Sequence, residues 1–159
     1  MNTADRSVEA LDTALRRRFS FIEMNPEPAI LNIEEFKCNG LDLESLLIAI
    51  NSRIEKLLDK DYCIGHSYFM TIKNRQEPLE EIKTIFENKI LPLLQEYFYG
   101  DWGKIMLVIG KEFIVKKEDP IKFLSNGLDD EYDEYNEKTI YNFTKSSSWS
   151  LDSFKSIYE

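Results

Sequence analysis

One histidine, two cysteines and six glycines leave this 159-residue chain few of the parts from which common catalytic and metal centres are made. A structural zinc site needs four Cys, His or carboxylate ligands, and Cys38, Cys63 and His66 do not form such a set. Two widely separated cysteines do not build a disulfide framework either, and buried small side chains are the ordinary reading of both. The sequence has no Gly-rich phosphate loop, no histidine-based relay and no carboxylates clustered at metal-ligand spacing. No apolar run approaches the roughly 18 residues needed to span a bilayer, and no basic-then-apolar signal segment opens the chain. A cytoplasmic protein without membrane contact is expected. Internal repeats and low-complexity tracts are also missing.

What is present suits one domain, or one compact domain with an appendage: 43% hydrophobic and 31% charged residues, in a chain long enough to bury a core. The formal net charge of −9 repels phosphate backbones as a whole, which argues against a nucleic-acid-binding domain working through its arginine run. The charge is uneven, however. Arg16, Arg17 and Arg18 form a local cationic site, and acidic residues gather between Asp129 and Glu137 in a turn-rich stretch read as a solvated loop.

Periodicity predicts a mainly helical chain. A first helix is expected from about Val8 to Arg18, with Val8, Leu11 and Leu15 on one stripe and Ser7 or Asp5 as cap. Phe19 to Met24 reads as a short strand, and Asn25-Pro26-Glu27-Pro28 as a linker in which two prolines oppose both helix and ladder pairing. The stripe Leu43, Leu46, Leu47, Ile50, Ile54, Leu57, Leu58 predicts a helix from Asp42, its cap, to about Lys60. Another is expected from Glu77-Pro78 to about Tyr99, kinked at Pro92, and a fourth from Trp102 to Ile109, ended by Gly110. The Tyr62 to Met70 stretch reads as a turn into a short helix beginning near Ser67. Glu112 to Val115 reads as a strand, and Trp149 to Tyr158 as a closing helix capped by Ser150 or Asp152.

One stretch is richer in chemistry than folding requires. Met1 to Phe19 places an Asn-Thr-Ala-Asp cluster before a helix that ends in three arginines. Counting about 100° per residue from the apolar stripe, Arg17 lies almost opposite it and is the arginine best placed to reach beyond its own subunit. His66, taken alone, is more often a hydrogen-bonded structural residue than a catalytic one.

An Asn at a strand end, an Asp-Arg-Ser turn and a helix finishing in Arg-Arg-Arg resemble the second half of an AAA+ nucleotide-hydrolysing module. The segments MNTADRS, LDTALRRRF, IGHSYFM and NKILPLLQEYFYGDW, in that order, more specifically resemble the GTP-hydrolysing motor subunits of McrBC systems, which restrict DNA containing 5-methylcytosine. The likeness runs from Met1 to about Gly110. It implies that Asn2 is the sensor 1 residue orienting the attacking water and that Asn2 and Asp5 serve the guanine nucleotide. It implies that Arg17 and Arg18, with Arg16, act as arginine fingers on a neighbouring subunit, and that His66 faces the nucleotide from the lid. An arginine supplied by a partner stabilises charge spread over the transferring phosphoryl group.

The fold class expected is mainly α: a helical AAA+ lid domain, preceded by a short strand-and-helix remnant of the α/β nucleotide-binding domain and followed by a small α+β tail. The divisions are 1–25 for the remnant, 26–40 for a linker, 41–110 for the lid and 111–159 for the tail. The Walker A loop and Walker B acid that would precede Asn2 in a complete module are not in the sequence. A truncated gene, a split reading frame or a start at an internal Met are the readings of that, and activity of the chain alone is not expected. The complete parent would use GTP with Mg2+, with none expected bound to this chain alone. Its partners would be neighbouring AAA+ subunits in a ring and a nuclease subunit, with DNA reached only indirectly. The alternative is a non-catalytic helical interaction or oligomerisation module.

Overall fold

The computed structural model describes residues 24–36, 38, 40–117 and 139–159. The helix expected over Val8 to Arg18, the strand to its C-terminal side up to residue 23, and the acidic loop lie outside the described residues.

Helix α1, Leu43–Leu57, is the centre of the described structure. Asp42 caps it: the backbone N–H of Ser45 donates to its Oδ1 at 3.1 Å, and the Ser45 hydroxyl donates to its Oδ2 at 2.6 Å. Leu46, Leu47, Ile50 and Ile54 are fully buried along one face, as their spacing requires. The helix ends earlier than the periodicity suggests. Leu58 leaves helical geometry, and the side chain of Asp59 caps a separate 3-10 turn, Lys60–Tyr62, so an Asx cap competes successfully with continuation.

The segment before α1 is more structured than a free linker. Pro28 opens a 3-10 turn, Pro28–Leu31, because a proline is tolerated where no N–H partner is needed, and Leu31 is buried where that turn packs against α1. A second turn, Glu34–Phe36, buries Phe36. It is tied to the loop after Ile72 by the Lys73–Glu35 ion pair and by the Asn74 N–H donating to the Glu35 carbonyl at 2.9 Å.

Helix α2, Pro78–Ile85, runs through a π-turn, Phe86–Ile90, into α3, Leu91–Tyr97. The disruption anticipated at Pro92 takes this form: the Leu91 N–H bonds back to the Phe86 carbonyl, one residue further than in an α-helix, and the wider turn accommodates a ring that has no N–H to give. Tyr99 takes φ +50° and Gly100 φ +74°, and the Gly100 N–H reaches the Gln95 carbonyl at 2.9 Å to close the helix end. Helix α4, Trp102–Ile109, is capped by Asp101 and stopped by Gly110 at φ +86°.

Beyond Gly110 the chain returns to the same core. Strand β1, Ile114–Lys117, pairs antiparallel with β2, Ile140–Phe143, placing Ile114 opposite Phe143 and Lys117 opposite Ile140. The strand expected at Glu112 starts two residues later, and β2 was not anticipated. Helix α5, Leu151–Lys155, is shorter than expected and is capped by Ser150: its hydroxyl accepts the Ser153 N–H at 3.3 Å, and its own N–H donates to the Ser153 hydroxyl at 3.2 Å. Phe86 meets Phe154 edge-on at 4.9 Å and stacks on Phe113 at 5.7 Å, while Phe113 meets Trp149 at 5.3 Å. Phe113, Trp149, Phe154 and Ile157 therefore share one buried cluster with α1, α2 and α4. The Tyr158 hydroxyl also accepts from the Asp42 N–H at 3.2 Å, fastening the last turn to the start of α1.

Two outcomes follow from the helix ends. The Ser45 hydroxyl holds the Asp42 carboxyl below its ordinary 3.8 against an opposing desolvation, with smaller help from the Ser45 and Glu44 N–H groups. A lowered folded-state value stabilises above the unfolded-state value and is lost as pH falls through the folded one. In urea titrations Asp42→Ala should cost about 1 kcal/mol near neutral pH, and the difference from wild type should shrink as pH falls below about 4. Tyr99 is 95% exposed and sits in the left-handed region, so its ring contributes no burial to offset the backbone strain. Tyr99→Gly should stabilise the chain by about 1 kcal/mol in the same titration.

Candidate functional site

Of the residues to which the sequence assigns chemistry, Asn2, Asp5, Arg16, Arg17 and Arg18 lie outside the described residues. His66 is described, and its surroundings are built from the core outward.

Asn51 stands on α1 between Ile50 and Ile54 and is 9% exposed. Its side-chain amide closes a two-bond clamp on one residue: Nδ2 donates to the Ile64 carbonyl at 2.9 Å, and the Ile64 N–H donates to Oδ1 at 2.7 Å. The Asn51 backbone carbonyl accepts the Cys63 thiol at 3.8 Å. Burial, and after it the carboxylates of Glu55, Asp59 and Asp61, push that thiol above its ordinary value and keep it a donor. Cys38 is buried, and burial raises its thiol to about 11. Both cysteines are free.

With Ile64 fixed and its side chain 1% exposed, Gly65 leads in extended geometry into the 3-10 helix His66–Ile72, which begins close to where a short helix was expected. His66 is half-buried at the first position. Its Nδ1 accepts the backbone N–H of Glu27 at 3.0 Å. A backbone N–H can only donate, so Nδ1 carries no proton and the neutral ring holds its proton on Nε2. His66 thus joins the helical core to the Asn25–Pro28 segment on one side and presents a donor on the other. Among the described residues no carboxylate is hydrogen-bonded to the ring, and the contact seen there suits binding better than proton transfer.

Among the described residues, no cluster of three His, Cys, Asp or Glu side chains is placed to hold a metal ion, and no helix is long and apolar enough to cross a membrane. An open polar groove borders Asn74, Arg75, Glu77, Glu80 and Glu81. Its arginine is already engaged, with Nε donating to the Thr71 carbonyl at 2.9 Å and lying 3.8 Å from Glu81, and three carboxylates outnumber it. Such a rim does not attract phosphate.

The sequence reading passed over Asn51 and Arg53. A signal existed for the first: Asn51 lies four residues after Leu47 and three before Ile54, a polar amide on an apolar stripe. For Arg53 there was none. Its Nη1 donates to the Val108 carbonyl at 2.8 Å, satisfying an orphan carbonyl in the last turn of α4, and that contact depends on how two helices distant in sequence pack.

Comparison with known proteins agrees with the helical fold. A family model described as the McrB α-helical lid domain matches residues 42–106, which run from the cap of α1 into α4. The chain is 39% identical over 113 residues to the type IV methyl-directed restriction enzyme EcoKMcrB subunit of Escherichia coli (strain K12). That alignment takes in 64% of this chain and 25% of the relative, so the chain spans about a quarter of that protein's length. Residues 42–106 match the α-helical lid of McrB, and the chain that carries them is McrB-like.

Proposed function

We propose that this chain supplies the lid, sensor 1 and arginine-finger elements of a GTP-hydrolysing AAA+ motor in a modification-dependent restriction system. The observation that supports this most directly is the lid match over residues 42–106, downstream of an Asn-Thr-Ala-Asp cluster and an arginine run in the order such motors use. In this reading Asn2 orients the attacking water, Asp5 contacts the nucleotide, and Arg17 with Arg18 serves the nucleotide of a neighbouring subunit. His66 contributes its Nε2–H donor from the lid.

The donor chemistry fits such a ligand. A nucleotide carries many acceptors, and a histidine whose Nδ1 is occupied by Glu27 offers a donor and nothing else. Bound GTP would bring the phosphoryl group to be transferred, and Mg2+ would be held by Walker groups that this sequence does not contain. The motor's further partners would be a nuclease subunit and, through it, DNA. By itself the chain should not hydrolyse nucleotide, because no Walker A loop is present to hold the phosphates.

Reconstitution tests this. The purified chain is assayed alone and together with a separately expressed segment carrying the Walker A and B motifs of an McrB-type motor. GTP turnover should need both polypeptides and should fall by about 10³-fold or more with Arg17→Ala, the range measured for arginine fingers. Turnover by the chain alone, or a reconstituted activity indifferent to Arg17→Ala, would overturn the reading.

A further inference from the structure

The clamp at Asn51 and the bond at His66 lie in series. Asn51 reaches 13 residues along the sequence to Ile64, and His66 reaches back 39 residues to Glu27. Only Gly65 separates the two contacts. We propose that Asn51 is a positioning residue whose clamp makes α1, the Ile64–His66 turn and the chain at Glu27 one cooperative unit, so that a displacement of α1 carries the entry segment of the lid with it.

The physical case rests on the number and direction of the bonds. A single hydrogen bond leaves its partners free to rotate about it, but the paired bonds of 2.7 and 2.9 Å hold the Asn51 amide plane and the Ile64 backbone in one mutual orientation. The Ile64 side chain, 1% exposed, adds a third restraint from the core. There is little slack after it: a Cβ on Gly65 would stand 3.2 Å from the Ser67 hydroxyl, so the turn is tight. His66 then transmits the position of the turn to Glu27 through a directional bond of 3.0 Å.

Leu31 also holds the entry segment, but by burial, which is non-directional. It keeps the segment near α1 without fixing how the chain approaches. Met24, three residues before Glu27, is 85% exposed, so packing at Met24 does not fix the approach either. Among the described residues, the His66–Glu27 bond is the directional contact at the start of the segment, and the Asn74 N–H bond to the Glu35 carbonyl holds it further along. The inference concerns the chain itself and needs no nucleotide, so it stands or falls separately from the GTPase reading.

Native-state hydrogen exchange and nitrogen NMR on the full chain test it without ligand. In wild type under mild denaturant, the Ile64 and Glu27 amides should open together with one denaturant dependence, and the His66 nitrogen signals should show a bare Nδ1 and a protonated Nε2. In Asn51→Ala, exchange at Glu27 should rise at least tenfold and His66 should become a mixture of tautomers, while amides of Leu46 and Ile50 keep their protection. His66→Ala should likewise expose Glu27, and His66→Asn, which returns an acceptor near the Nδ1 position, should restore its protection. Protection at Glu27 that survives in folded Asn51→Ala would overturn the proposal. So would separate opening of Ile64 and Glu27 in wild type, a measurement that decides the matter should Asn51→Ala fail to fold.

Discussion

A side-chain amide inside a hydrocarbon core has to find its partners within the protein, because leaving its donor or acceptor unmet costs about 1–3 kcal/mol each. Asn51 meets that demand on one residue, Ile64, from a helix whose neighbouring Leu47, Ile50 and Ile54 are fully buried. The consequence is that α1 and the turn after Cys63 cannot be placed independently. Burial of the stripe orients α1, the orientation of α1 aims the amide, and the amide sets where Gly65 and His66 emerge. Hydrophobic burial alone would have left this last step loosely determined, since it is proportional to area and has no direction.

The far end of the chain answers a different constraint. Short helices such as α4 and α5 are marginal in water and take their stability from packing. Phe86, on the π-turn, supplies the surface: Phe113 and Phe154 lie against it, and Trp149 packs on Phe113 while its Nε1 donates to Thr144 Oγ1 at 2.7 Å. That indole bond matters, because a buried Trp N–H without a partner would cancel part of what its ring gains by burial. The Ser146 hydroxyl donates to Glu87 on the same π-turn at 3.0 Å. The widened turn beside Pro92 is therefore also where the tail docks. A stretch that read as an appendage shares the lid's core through Phe113, Ile114, Trp149, Phe154 and Ile157.

What the sequence disclosed follows the reach of the forces involved. The α1 stripe, its Asp42 cap and the Gly110 stop are local: each depends on residues within a turn or two, and each was read correctly. The end of α1 was misjudged by about a turn because Leu57 and Leu58 continue the apolar spacing, while the competing Asx cap at Asp59 leaves no mark in periodicity. β2 went unseen for a related reason. Ile140–Phe143 is only four residues long, and its partner is β1, across residues 118–138, so nothing nearby announces the pairing. At the site, the His66 turn was legible through its Gly and aromatic neighbours. The Glu27 N–H that fixes its proton was not, because the donor is backbone and any residue except proline would offer it.

That last point bears on what a lid histidine can contribute. An arginine brings charge, which acts over several ångströms and is felt by phosphate before contact, and in motors of this kind the proposed role of Arg17 depends on that reach. His66, whose Nδ1 accepts the Glu27 N–H, acts through Nε2 only where an acceptor stands within hydrogen-bond distance. A neutral hydrogen bond contributes about 0.5–1.5 kcal/mol net, roughly a tenfold effect on an equilibrium, against the several orders of magnitude in rate open to an arginine finger. The two residues are therefore suited to different tasks under the proposed reading. The arginine run would act on the chemistry of a neighbouring nucleotide. The histidine, tied at once to the lid core through Asn51 and to the entry segment through Glu27, is suited to reporting whether an acceptor is in place and passing that information to the chain that leads into the lid.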